Sequence, residues 1–560
     1  MCSEHPIRNI MNTSLFTLLL LLLLSACASG HQATSAKLRK FVFEKNFNGA
    51  IEFLKTSPLV QDEKSKLLYY IELGLLEHYR GDYQASTVNL SLAKELLDEL
   101  YTTRISGKVN SFVSNDNADL YYGEKYEASL VYFYLSLNYY LQSMSEVDAM
   151  KRKELLAKAR SEVVAWDSFL TEMKQERLGK ALFKEDLLAK TFGALIHESQ
   201  GNNQDSQIAL QLYKDAKGIF FKNYNLYPTF NSSYESFRKN FTSFPDISME
   251  EVAGKYVLET SHTQAFKDFL NFKIDSLSSK KAKTDGSITV LLQDGLIAEK
   301  IPQKYEFPML WGAHASSAVT MGLGAKITFE LPSIPNVEVL KGSRLQAIDQ
   351  TGAIIKESPL SVIAPLSELA QQAINEHSTS IASKTAARVA TKHLAALAGS
   401  AAAYEAGRQR SDMMMMLLAS AGHAASVAAI NESERADVRF WSTLPSNIRM
   451  GSINLPKGTY TLRAVIGDVG APEYRVIELG VQEITNNTLK FVMNRNEQVI
   501  PVTKVASSGI IEVKPDDGST DINRSISSDM SSGNECRKDA DCAKGKSCKT
   551  GKGEIAGWCQ

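Results

Sequence analysis

A chain of 560 residues is too long for one hydrophobic core, so two or three domains are expected. Its 44% apolar and 22% charged content is that of a globular protein and excludes a wholly disordered chain. Lys+Arg 62 against Asp+Glu 63 leaves a formal net charge of -1, with no field to draw in nucleic acid, and no nucleic-acid partner is expected.

Leu15 to Leu24 is an apolar run interrupted only by Thr17. Its length is about half that of a bilayer-spanning helix, which suits the apolar region of a signal peptide. It ends in Leu24-Ser25-Ala26-Cys27, a lipobox in which small residues fit a peptidase and the thiol becomes a thioether. The pattern predicts a lipoprotein signal peptide over 1–26, started at Met1 or Met11, then a lipidated N-terminal linker over 27–34 with the lipid on Cys27. Ala28 and Ser29 follow, and the lack of an Asp there points to the outer membrane, facing the periplasm or the cell surface. Membrane contact through this lipid is expected to be firm, because several acyl chains hold where one is marginal.

Residues 35–245 read as helical, with Tyr, Leu and Ala at helical spacing. Tyr70, Leu73, Gly74, Gly81, Tyr83, Leu90 and Ala93 resemble a tetratricopeptide (TPR) repeat. Phe47, Ala50 and Leu54 repeat the second-helix spacing upstream, and Ala209, Tyr213 and Ala216 echo it downstream, which describes a degenerate TPR-like array. A helix from about Gly123 to Gln142 is apolar on all sides and should be buried between neighbours. Glu124 and Glu127 open it one turn apart. They read either as first-turn acids suited to the helix dipole or as a ligand or acid pair, with Tyr126 and Asn138 of the same helix as further binding candidates.

Beyond residue 284 the periodicity becomes that of strands. Ser287 to Leu292, Lys326 to Leu331 and Val337 to Asp349 are β-rich, as are Ile448 to Leu455, Thr459 to Ile466, Tyr474 to Val481 and Thr488 to Met493. A β-rich domain over 246–505 results, resembling a small β-sandwich split by an alanine-rich helical insertion at about 367–431. Within the insertion, Met413 to Ile430 carries no formal charge. Alanine is near neutral for membrane insertion, and Ser420, Gly422, His423 and Ser426 oppose it, so a hairpin buried in protein is expected in preference to a membrane-inserted one.

Residues 506–534 are Ser, Asp and Gly-rich and read as a flexible linker. Of six cysteines, Cys536, Cys542, Cys548 and Cys559 crowd the last segment, 535–560. In an exported chain this reads as a disulfide-rich tail with two bridges of open connectivity; a zinc site lacks paired C-x-x-C spacing and a nearby histidine. The H-E-x-x-H, G-x-S-x-G and dinucleotide signatures are missing, and no catalytic residue, metal site or cofactor is expected. The chain therefore reads as a non-enzyme.

Two stretches resemble a family. Tyr122-Gly123-Glu124-Lys125-Tyr126-Glu127 with Leu137-Asn138-Tyr139-Tyr140-Leu141, and Ala436-Asp437-Val438-Arg439-Phe440-Trp441-Ser442-Thr443-Leu444-Pro445 followed by Leu455-Pro456-Lys457-Gly458, are similar to segments of uncharacterised proteobacterial lipoproteins. These have a TPR-like front half and a β-rich back half, and are often encoded near lipoprotein activators of penicillin-binding proteins. The resemblance implies a cell-envelope role and no catalytic residue. Arg439 and Trp441 admit two readings: Trp441 plugs the β-sandwich while Arg439 binds a carboxylate of the helical half, or both are exposed and stack on a sugar or peptide. The expectation is thus a multidomain α+β protein that scaffolds an envelope protein partner. The alternative is a glycan- or peptidoglycan-binding lipoprotein acting through the β-rich domain and disulfide tail.

Overall fold

The computed structural model describes residues 27–106, 120–175, 186–222, 229–230, 261–279, 286–308, 326–334, 341–467, 469, 474–485, 489–494, 511–512, 535–536, 548–549 and 557–559. The expected signal peptide, Cys542 and most of the 506–534 linker lie outside them. The fold is mixed, with helices in the N-terminal half and mainly antiparallel sheets in the C-terminal half. Two compact units share the chain: one falls in Met1–Ile301, Pro332–Ile374 and Asp437–Val505, the other in Pro302–Leu331, Asn375–Ala436 and Ala506–Gln560.

The first unit opens with helices α1 (Cys27–Phe43), α2 (Phe47–Thr56), α3 (Lys66–Arg80), α4 (Tyr83–Ser106), α5 (Lys125–Ser145), α6 (Ala149–Gln175), α7 (Leu187–Glu198), α8 (Asn203–Lys222) and α9 (Ser261–Ser278). The stretch 27–34, expected as a linker, is instead the first turns of α1, and Thr34 and Ser35 are already buried. Consecutive helices pack in pairs. The small residues expected to permit this do so: a Cβ on Gly74 would lie 2.6 Å from Leu90 Cγ, and Ala50, Ala209, Tyr213 and Ala216 are fully buried. Helix α5 is buried from Tyr126 to Asn138 along every face, as its all-round apolar sequence requires.

Two four-stranded sheets follow. One has the order β10-β1-β7-β6, built from β1 (Gly286–Asp294), β6 (Ser361–Ala364), β7 (Asn447–Leu455) and β10 (Leu489–Asn494). The other has the order β5-β4-β8-β9, from β4 (Ser343–Ile348), β5 (Ile354–Pro359), β8 (Gly458–Ile466) and β9 (Arg475–Ile484). Their facing sides share one apolar core, with Ile288, Val290, Leu292, Leu345, Ile453, Leu462 and Ile477 at its centre. The opposite side of the first sheet joins the helical core through Leu291, Val362, Ile448 and Met450. Strands β1 and β7 are therefore buried on both faces, and their helix-facing polar side chains need partners. Thr289 bonds Ser452 Oγ at 2.7 Å, and Lys273 of α9 reaches Thr289 and the Glu198 carboxylate at 3.2 and 2.8 Å. Arg449 meets Asp294 at 3.2 Å with both side chains almost wholly buried.

The second unit contains β2 (Ile301–Pro308), β3 (Lys326–Ser333) and β11 (Ile511–Glu512) as a three-stranded sheet. The short strand β11 falls within the expected linker and pairs in parallel with Tyr305 and Glu306. Helices α10 (Leu366–Gln409) and α11 (Met413–Ser433) are joined at Ser411, which has φ 53°, and Asp412 caps α11 by accepting from Met415 N–H at 3.0 Å. The buried Glu434 carboxylate accepts from Arg388 and Lys392 at 3.1 and 2.5 Å and ties the base of the hairpin. The expectation of a hairpin buried in protein fails for α11, where only Ala419, His423 and Val427 are buried. Among the described residues its outer face, with Met413, Met414, Leu417 and Leu418, is exposed. In the tail, β12 (Glu535–Cys536), β13 (Cys548–Lys549) and β14 (Gly557–Cys559) form a sheet in which Cys548 and Cys559 are register partners.

Candidate functional site

The segment from Asp437 to Ser446 enters the helical core rather than the sandwich, and two buried carboxylates hold its backbone. Glu127 Oε1 accepts from Trp441 N–H at 2.7 Å. Its other oxygen accepts from the Tyr121 hydroxyl at 2.5 Å and from Glu124 N–H at 2.7 Å, while the Tyr126 hydroxyl stands 3.4 Å from Oε1. On α3, Glu72 Oε1 accepts from Ser442 N–H and Ser442 Oγ, both at 2.7 Å, and Oε2 accepts from the Thr443 hydroxyl. Arg39 Nη1 of α1 donates to the Ser442 and Ile297 carbonyls at 3.0 and 2.8 Å. Tyr79 donates its hydroxyl to the Thr443 carbonyl at 3.0 Å. Ser442 is thus saturated by side chains from two helices, which buried backbone groups outside a ladder require.

Local sequence explains this placement. Gly123, at φ 70°, turns the chain into α5 so that Glu124 is the N-cap and Glu127 folds back on its N–H, a reciprocal capping box. Of the two readings of Glu124 and Glu127, the helix-start one describes their geometry, and Glu127 also reaches Trp441. Glu124 additionally pairs with Lys300 at 3.2 Å, and Lys300 Nζ lies 3.4 Å from the Arg439 carbonyl.

Trp441 departs from both readings. Trp441 is fully buried, yet in the helical core, with its ring 5.8 Å from that of Tyr134. Arg439 is bidentate to Asp437 two residues away, at 2.9 and 2.7 Å, reaches Ser65 Oγ at 3.4 Å, and lies 5.5 Å over the Tyr121 ring. The segment thus carries a counter-ion for Arg439 within itself. Glu124, Tyr126, Glu127, Arg439 and Trp441 therefore converge. Asn138 belongs to a neighbouring buried network, where its Oδ1 is 2.6 Å from His78 Nδ1 and its amide donates to Ser86 Oγ at 2.7 Å. Gln293 of β1 is 3.0 Å from the other His78 ring nitrogen and accepts from Tyr134 at 2.8 Å.

Glu72, Arg39 and His78 escaped the sequence reading. The available signal was Glu72, Glu77 and His78 within the apolar run Leu67 to Tyr79, since polar groups on every side of a buried helix must find partners.

Burial pushes the Glu127 carboxyl up from 4.5 to about 7, the neighbouring Glu124 adds to this, and the bonds from Trp441, Tyr121 and Glu124 oppose it. Burial raises Glu72 as well, against the bonds from Thr443 and Ser442. A carboxyl that holds its proton more tightly folded than unfolded favours the folded state fully below its unfolded value and loses that advantage as pH rises through its folded value. Stability should therefore fall between pH 4.5 and about 7 by on the order of 2–3 kcal/mol from Glu127, because one unit is about 1.4 kcal/mol. Urea unfolding across that range should show the decline in the native chain and a flatter profile in Glu127→Gln.

Beside this cluster a half-open cavity of about 480 Å³ runs between α4, α5 and α6. Tyr122, Glu124, Lys125, Lys94, Tyr132 and Phe169 are among its lining residues. The Tyr132 and Phe169 rings stack at 5.1 Å, and Lys94 Nζ sits 4.9 Å from the Tyr132 ring centre while pairing with Glu162 at 2.7 Å. Among the described residues, no group of three or more His, Cys, Asp or Glu side chains is arranged to hold a metal ion.

Fold and site together define a mixed α+β protein in which a helical array grips an extended segment of the β-rich half through buried carboxylates. No family model, curated protein or solved structure matches this chain.

Proposed function

We propose that the protein is an exported lipoprotein, held to the outer membrane through Cys27, that acts as a non-enzymatic scaffold for an envelope protein. The partner's peptide segment docks in the cavity between α4, α5 and α6. That cavity carries the reading: its stacked Tyr132 and Phe169 offer an apolar surface, and Lys94, Lys125 and Glu124 supply charges of both signs in its lining. Paired helices with TPR-like spacing commonly present such concave surfaces. The nearby buried carboxyls, Glu72 and Glu127, are committed to backbone N–H groups, which suits a rigid frame rather than proton transfer. The lipobox, the cysteine-rich tail and the resemblance to envelope lipoproteins support the address and a link to cell-wall synthesis.

Full chain recovered from envelopes after mild crosslinking should bring down a reproducible protein partner. Lys125→Glu with Phe169→Glu should reduce its yield about tenfold, the scale of losing one or two well-packed contacts. Unchanged yield from that variant would overturn the reading. Sedimentation with purified sacculi that requires residues 446–560 would replace it with the glycan-binding alternative.

A further inference from the structure

The α10–α11 hairpin carries a broad exposed face without a charge. Met413, Met414, Leu417 and Leu418 are 71%, 66%, 60% and 65% exposed. Their spacing sets all four on one side of α11, and the exposed Ala421, Gly422, Ala425 and Ala428 continue that side. Contiguous apolar faces of this kind are uncommon on soluble monomers and mark a contact surface.

The polar groups of α11 indicate what it contacts. Ser420 and Ser426 return their hydroxyl protons to the carbonyls of Met416 and Gly422, at 3.0 and 2.8 Å, within the helix. His423 is turned inward and is 2% exposed. From Met413 to Ile430 no side chain carries a formal charge, and both serine hydroxyls spend their protons within the helix. A protein interface would carry a polar rim with hydrogen bonds, whereas hydrocarbon requires that polar groups be satisfied internally. The charges sit at the ends instead: Glu405, Arg408, Arg410 and Asp412 at the turn, Glu432, Glu434 and Arg435 at the base. The turn residues oppose passage across a bilayer, so the face suits a helix lying in the interface, with basic side chains at the headgroups.

We propose that the outer face of α11 is a lipid-contacting element, seated in the headgroup–acyl boundary of a membrane. This contact is additional to the tether at Cys27 and does not rest on it.

The test is a photo-crosslinking amino acid placed at Leu418 of the full chain, made in cells whose phospholipids carry radiophosphate. A lipid adduct at least about tenfold above that from the same probe at Val88, an exposed position of α4, is expected for a side chain held among acyl groups. Moving the probe to Met414 should give the same adduct, and Leu417→Lys with Leu418→Lys should abolish it while helix content stays unchanged. The proposal is overturned by an adduct with a second copy of the chain or another protein, by labelling no higher than at Val88, or by a Met414 adduct that survives both lysines.

Discussion

Glu72→Ala is expected to lower the free energy of unfolding by about 3–5 kcal/mol, because it leaves buried donors without an acceptor. The Ser442 N–H and hydroxyl and the Thr443 hydroxyl all end on this carboxylate, and all three residues are fully or almost fully enclosed. Water cannot replace the lost oxygens, since Arg39, Tyr79 and the Ile297–Leu444 backbone bond close the segment on its other sides. Glu72→Gln keeps one acceptor but turns an N–H toward a donor, and should cost about 1–3 kcal/mol. Urea denaturation followed by circular dichroism measures both. A change below about 1 kcal/mol for the alanine variant, the worth of a single ordinary hydrogen bond, would show that Glu72 is not what holds the segment.

The second large effect belongs to the ring beside it. Trp441→Ala should destabilise by about 3–5 kcal/mol through lost burial and the cavity left behind. Trp441 is fully buried against Tyr134, and Tyr134 in turn contacts His78 and Phe133 at 5.1 and 4.9 Å between ring centres. Trp441→Phe fills most of that volume and should lose less, about half as much. The near-ultraviolet circular dichroism of the alanine variant should weaken beyond the loss of one indole, because neighbouring rings lose their fixed packing. Its backbone N–H still reaches Glu127, so Trp441→Ala and Glu127→Gln should couple rather than add. Strict additivity would separate the two contacts.

Much of the architecture was legible in sequence because it rests on local periodicity. The strand runs of the C-terminal half match β7 to β10 within a few residues, since alternation and Pro456-Lys457-Gly458 fix where β7 ends and β8 begins. Small residues at Gly74, Ala50 and Ala209 announced close helix pairing, and Glu124 with Glu127 announced a helix start. What misled was the neighbourhood of each element. Residues 27–34 looked like a spacer because few are apolar, yet they continue a helix whose buried Leu38 and Val42 set its register. Met413 to Ile430 looked like a core hairpin because its composition is that of one, and composition does not say how many sides are covered.

The partners of the polar side chains also lay beyond sequence. Glu72 and Ser442 stand 370 positions apart, and no periodicity relates them. Sequence by itself determined the order of parts, the helix and strand periods, and the presence of an Arg and a Trp in a short segment between the hairpin and β7. Only the tertiary structure decided that this segment enters the helical core, that Arg439 pairs with Asp437, and that the outer face of α11 is exposed among the described residues. The physical reason is that a helix or strand is encoded by residues a few positions apart. The satisfaction of a buried charge or backbone N–H depends on whichever group the folded chain brings within about 3 Å.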